Sequence, residues 1–253
     1  NEALHGGPFL SFSFQESTGY AATQNPDSVE ESVDDGSMYM DSSDLELMTE
    51  ATEQVVGLRF TNLQIPQGAI ITDPTHLVFQ VDEVNPASAE PVTISIYAEA
   101  TASAAPFTEA AFDVSHRLPT ERSVMWQPET ENDEGCEDAP RCGDHSVQCI
   151  LRGNPRSCRP QCLATVGCTV NTPSLTEIIQ EVVAGDGWAP GNAITIVLAH
   201  ISGSGSRWVD SESRCTTAEY RPGVEVNSEN CDAPWTPQLT VSFAPKAEHL
   251  DHP

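Results

Sequence analysis

Apolar and polar residues alternate in short runs along most of this chain, the period-two signature of strands with one buried face. Leu77, Phe79 and Val81 share one side of such a run, Ile94 and Ile96 share another, and Leu239, Val241 and Phe243 repeat the pattern late in the chain. Runs of this kind predict strands at 38–40, 45–48, 55–60, 77–81, 92–97, 123–126, 194–199 and 239–243. Turn formers such as Pro66 with Gly68, and Pro74 after Asp73, separate them. One segment breaks the rhythm. Leu175, Ile178, Ile179, Val182 and Val183 recur at helical spacing and predict a single short helix at the edge of the strands. Thr172 before Pro173 suits its N-cap, Ser174 with Glu177 offers a competing capping box, and Gly185 suits its stop.

Near the start, Phe9, Phe12 and Phe14 stand in a Gly/Ser-flanked stretch, with Phe12 and Phe14 on one face of a strand. Two readings follow: an ordinary first strand of the domain, or a strand that pairs with a neighbouring subunit. Between 129 and 169 hydrophobic periodicity gives way to an acidic run and then to Pro, Gly and Arg around six cysteines. Such a stretch needs crosslinks to hold a shape. The chain therefore divides into an N-terminal extension or strand at 1–27, a sandwich at 28–243 carrying the six-cysteine insertion loop at 129–169, and a tail at 244–253.

The cysteines change the picture of where the protein works. Cys136, Cys142, Cys149, Cys158, Cys162, Cys168, Cys215 and Cys231 are even in number and contain no Cys-x-x-Cys pair. Disulfides fit better than a zinc site, and their pairing stays open, although Cys215 and Cys231 read as a separate clip. Disulfides place the chain outside the cytosol, secreted or at the cell surface. The chain opens at Asn1 with no charged-then-apolar leader, as expected after removal of a signal peptide, and no apolar run approaches membrane-spanning length. Charge narrows the partners. With 38 acidic against 11 basic residues the net charge is −27, which argues against nucleic acid or a bare anionic lipid surface. Cations, basic partners and neutral glycans stay open.

Taken in order, the segments 55–60 (VVGLRF), 65–72 (IPQGAIIT), 79–84 (FQVDEV), 115–117 (SHR), 123–126 (SVMW), 172–181 (TPSLTEIIQE), 187–192 (GWAPGN) and 205–207 (GSR) carry a family likeness. Over 28–128 and 170–243 the chain resembles the extracellular DNRLRE-type domains and related carbohydrate-binding modules. The resemblance implies a jelly-roll β-sandwich and a noncatalytic role in adhesion, matrix building or polysaccharide contact. It also implies core positions for Trp126 and Trp188. Two departures stand out: the six-cysteine stretch replaces a short loop, and Ser211 to Cys215 opens a longer loop where the family has a tight turn. Loops on a rigid scaffold tolerate such growth and often carry function.

The search for catalytic motifs finds no Gly-x-Ser-x-Gly elbow, no His-Glu-x-x-His and no phosphate loop, since Gly203 to Ser206 lack the lysine. No enzyme activity is expected. Calcium is the cofactor to consider, because hard cations gather carboxylate oxygens. Glu30 and Glu31, read as preceding the first strands, Asp44 and Glu46, read as sharing a face away from the core, and Asp82 and Glu83 at a strand end form the candidate set. Trp208, Tyr220 and Trp235 are candidates for stacking on sugar rings, with plain packing the competing role for Trp208. Arg59, Arg117 and Arg207 are expected in structural ion pairs. The expectation is an all-β jelly-roll sandwich with one edge helix and a disulfide-rich insertion, serving as an extracellular structural subunit or surface module. It would self-assemble through the strand of Phe9, Phe12 and Phe14. The alternative is a carbohydrate-binding module that recognises a polysaccharide.

Overall fold

Burial follows the alternation residue by residue. Val92, Ile94, Ile96 and Ala98 are buried along one strand while the residues between them are half-buried, and Leu239, Val241 and Phe243 do the same in the last strand. A computed structural model describes residues 20–21, 27–42, 44–49, 51–83, 86–128, 169–211 and 236–244. Among them the strands are β1 (Tyr20–Ala21), β2 (Ser28–Ser32), β3 (Met38–Tyr39), β4 (Asp44–Leu47), β5 (Gln54–Leu63) and β6 (Ile70–Glu83). They continue as β7 (Val92–Glu99), β8 (Pro119–Trp126), β9 (Thr169–Asn171), β10 (Asn192–Gly203), β11 (Arg207–Asp210) and β12 (Gln238–Ala244). The helix, α1, spans Thr176–Ala184.

The strands make two antiparallel sheets. One runs β1-β12-β6-β11-β4, with β9 also paired to β6, and the other runs β3-β2-β5-β10-β7-β8. The all-β sandwich is therefore present, while its jelly-roll designation rests on the resemblance alone. Between the sheets lies the main core, in which Leu45, Leu47, Leu58, Phe60, Leu77 and Ile94 have no exposed surface. Each such side chain stabilises the fold by about 1.5–3 kcal/mol relative to exposure. Trp126 is buried and stacks on Phe79 with centroids 5.9 Å apart. Trp188 is buried too, and its indole N–H donates to the Ile65 carbonyl at 2.9 Å. Burying an indole is favourable only with that partner supplied.

A second, smaller cluster covers the outer face of the β2–β5–β10 sheet, where Val29, Val55, Phe107, Val114 and Val197 meet. The connection from β7 to β8 folds down to supply Phe107 and Val114. Gly57 in β5 makes room for it, since a Cβ there would stand 2.7 Å from the Phe107 ring. Arg117 locks the connection, donating to Glu99 at 2.8 Å and to the carbonyls of Ala105 and Asp113, with its guanidinium 4.5 Å over the Phe107 ring. The expected ion pair of Arg59 is found with Asp27 at 2.9 Å. Arg207, 1% exposed, spends donors on the carbonyls of Glu90, Ser206 and Pro128.

The helix buries its predicted stripe of Leu175, Ile178, Ile179, Val182 and Val183. Its start differs from expectation. Thr172 is not the N-cap: its hydroxyl accepts the Leu77 N–H at 3.0 Å, extending the β9–β6 ladder, so the chain is still strand-bound there. Leu175 takes the cap position and contributes no side-chain hydrogen bond. The hydroxyl of Ser174 instead accepts the Thr176 N–H at 3.3 Å and donates to Asp73. Gly185 ends the helix as expected, with extended rather than left-handed backbone.

Candidate functional site

The most unusual local chemistry is in β2, whose sequence Ser-Val-Glu-Glu-Ser is buried at every position. Glu30 and Glu31 do not precede the first strands, as expected from sequence; they lie within one. Successive strand residues face opposite ways, so the two carboxyls part company. Glu31 faces the outer cluster, where one carboxylate oxygen accepts the N–H groups of Val114 at 2.7 Å and Ser115 at 3.1 Å. That contact ties the β7–β8 connection to the sheet. Glu30 faces inward, opposite Val56 in register, and accepts the Glu46 N–H at 2.6 Å.

Glu46 is itself 8% exposed, which corrects the expectation that it faces freely away from the core. The alternation in β4 is real, with Leu45 and Leu47 in the main core, but Glu30 reaches across from the other sheet and covers Glu46 at the β4 edge. Two carboxyls therefore meet out of water. Burial pushes Glu30 up to about 10, and the hydrogen bond and charge of the Glu46 side chain push the same way. The Glu46 N–H and the Ser42 hydroxyl pull it down by less. At neutral pH Glu30 thus holds its proton. A carboxylic acid that stays neutral can donate as well as accept, which satisfies the Glu46 side chain. With Glu30 only 1% exposed, the pair has no face to offer a substrate, so its work is structural.

Beside this pair, β11 runs between β4 and β6. Register places half-buried Trp208 across from Glu46 on one side and from exposed Glu83 on the other, and Asp210 across from Asp44. The six carboxylates considered for calcium are thus distributed: Glu30 is engaged with Glu46 across the sheets, Glu31 points to the opposite face, and Asp44, Asp82 and Glu83 belong to separate strand positions. Among the described residues no group of three or more His, Cys, Asp or Glu side chains is placed to hold a metal ion. A calcium ion takes about six to eight oxygen ligands. Of the aromatic candidates only Trp208 is described. Tyr220, Trp235, all eight cysteines, and Phe9, Phe12 and Phe14 lie outside the described residues.

A second feature escaped the sequence. Along α1 and the start of β8 runs an open groove of about 820 Å³, with Ile71, Ala100 and Leu118 among its apolar lining and Glu121, Glu177 and Glu181 among its polar lining. Glu181 accepts the N–H groups of Glu121 at 2.7 Å and Arg122 at 2.9 Å, so the helix is tied to the β8 edge by one carboxylate. Nothing in the helical stripe signals this, because Glu181 sits on the polar side of the helix and its partners are backbone groups. Compared with known proteins, the chain matches no protein-family model and no curated protein sequence.

Proposed function

We propose that this chain is a noncatalytic extracellular structural protein, a subunit or surface module of a larger assembly such as a filament, matrix or adhesin. The observation that carries the reading is the place of β1. It pairs antiparallel with the outer edge of β12, with Tyr20 opposite Leu239 and Ala21 opposite Gln238. Phe9, Phe12 and Phe14 precede β1 in the sequence, and an aromatic alternation beside a strand at the sheet edge suits addition to a neighbour's sheet. Eight cysteines and the resemblance to secreted sandwich modules support the extracellular setting.

The test is the assembly state of the natively oxidised protein, by negative-stain imaging beside light scattering, with a variant carrying Phe9→Ser, Phe12→Ser and Phe14→Ser. Ordered polymers in the parent and their loss in the variant are the expected result. A monomer in both overturns the reading. A chelator arm tests calcium: polymers that dissolve on chelation give the ion a structural role at a carboxylate site.

A second reading, a module that binds a polysaccharide, draws on Trp208, whose indole keeps part of its surface in water between Glu46 and Glu83. Retention on a glycan array that is lost in Trp208→Ala, with the fold intact, would favour it. An array without hits on oxidised protein would count against it.

A further inference from the structure

The outer cluster encloses a carboxyl group that its neighbours satisfy on one side only. Glu31 has no exposed surface, and its Oε2 accepts both N–H groups sent by Val114 and Ser115. Its Oε1 is buried as well and has no hydrogen-bond partner. Among the described residues no Arg or His side chain forms an ion pair with it. A buried carboxyl oxygen left without a partner is costly, so the position calls for an occupant.

The same face carries two thioethers. Met38 stands opposite Glu31 in the β2–β3 pairing, which brings their Cβ atoms within about 5 Å of each other on one side of the sheet. Met40, two positions on, follows the same alternation, and both methionines pack against the cluster of Val29, Val55, Phe107, Val114 and Val197. Tyr97 packs there too, and burial and then the charge of Glu31 raise its hydroxyl above the usual range, which sets the phenol near the carboxylate. Thioether sulfur selects soft cations such as copper(I), whereas calcium needs about six to eight oxygens, which this face does not offer. The donors here are sulfur beside a single carboxylate, so a search of carboxylates and imidazoles does not outline them.

We propose that Met38, Met40 and Glu31 form a binding site for a soft monovalent cation of the copper(I) class, with Tyr97 beside the carboxylate. One positive charge balances one carboxylate. Entry is from the β3 side, because β3 is two residues long and both methionines are only half-buried. Their unbranched stems turn about three bonds to admit the ion.

The four methionines give the test its own controls, since Met48 is enclosed in the main core and Met125 is 52% exposed. Silver(I), a redox-inert probe of the same class, is titrated in nitrate buffer into oxidised protein whose free thiols have been alkylated. Methionine methyl resonances are followed. A single equivalent should shift the methyls of Met38 and Met40, assigned through Met38→Leu and Met40→Leu, and leave those of Met48 and Met125 in place. Copper(I) affinity, measured by competition with bicinchoninate, should fall at least about tenfold in each of these variants and in Glu31→Gln. Leu keeps the volume of Met, so unchanged urea midpoints separate a lost ligand from a damaged fold. No methyl shift at stoichiometric silver overturns the proposal. A shift confined to Met125 overturns it as binding by an exposed thioether, and an affinity untouched by Met38→Leu and Met40→Leu overturns it as binding elsewhere on this acidic chain.

Discussion

Replacing Glu30 by Gln removes one titrating proton from the rim of the core and keeps both hydrogen-bonding ends of the side chain. The amide oxygen still accepts the Glu46 N–H, and the amide nitrogen donates to the Glu46 carboxylate as the protonated Glu30 does. What changes is the response to pH. Glu30 is raised from 4.5 to about 10 in the folded protein, chiefly by burial and then by Glu46. A group raised in this way contributes its stability fully below the unfolded value and loses it progressively as pH climbs toward the folded value. The window is therefore pH 4.5 to about 10. Within it each pH unit costs the parent about 1.4 kcal/mol that the Gln variant keeps.

Between about pH 6 and about pH 9 the two proteins should thus diverge by about 4 kcal/mol, with E30Q the more stable at the alkaline end. Urea denaturation of the oxidised proteins at several pH values measures this as a growing separation of midpoints at constant m-value. Near pH 4.5 the midpoints should coincide. Glu46→Gln removes the second and third causes while leaving burial in place, so its profile should fall between the other two. Parallel parent and E30Q profiles across the window would refute a neutral Glu30.

Three further perturbations test the contacts that shape the sandwich. Arg117→Ala removes the cation that pairs Glu99 and Asp113 and should cost about 3–5 kcal/mol in urea denaturation, with Arg117→Lys recovering less than half because it lacks the fork. Gly57→Ala places a Cβ 2.7 Å from Phe107 and should cost about 1–3 kcal/mol, with proteolysis at the β7–β8 connection accelerating before the rest of the fold is affected. Glu181→Ala leaves the solvent-exposed N–H groups of Glu121 and Arg122 to water, and should cost about 0.5–1.5 kcal/mol while raising association in light scattering through the uncovered β8 edge.

Legibility in the sequence followed the physics of alternation. The runs ending in Val81, Tyr97 and Phe243 and the stripe from Leu175 to Val183 announce themselves because a single solvent-facing side makes the period visible. β2 does not. Val29 is its one apolar residue, and Ser-Val-Glu-Glu-Ser reads as acidic surface unless it is known that Val114, Ser115 and Glu46 send backbone N–H groups to its carboxyls. Those partners lie 16 to 84 residues away and leave no mark on local composition. β11 is hidden for the same reason: Arg-Trp-Val-Asp has one core residue, Val209, and its arginine is accommodated by carbonyls from distant turns. Thr172 reads as a cap in the sequence because a threonine before a proline suits a helix start, whereas its hydroxyl is committed to the Leu77 N–H across the sheet.

The same carboxylates explain how this sandwich manages its edges, and that bears on the role of the N-terminal aromatics. An exposed edge invites another strand through its free N–H groups, and a carboxylate seated on one removes the invitation. Glu30 takes the Glu46 N–H at the β4 edge, and Glu181 takes two at the β8 edge. β3 is only two residues long. Along β12, β1 covers Gln238 and Leu239, and no other described strand pairs with the outer edge from Thr240 to Ala244. Phe9, Phe12 and Phe14 precede β1 in the sequence, separated from it by the polar and small residues Gln15 to Gly19. An ordinary first strand would contribute its aromatics to its own sheet, and losing three phenylalanines from a core costs several kcal/mol. A strand meant for a neighbour contributes nothing to the isolated subunit. The triple Phe→Ser variant should therefore leave the urea midpoint of the dilute monomer unchanged while abolishing polymers. A lowered midpoint with assembly intact would return Phe9, Phe12 and Phe14 to the subunit's own fold.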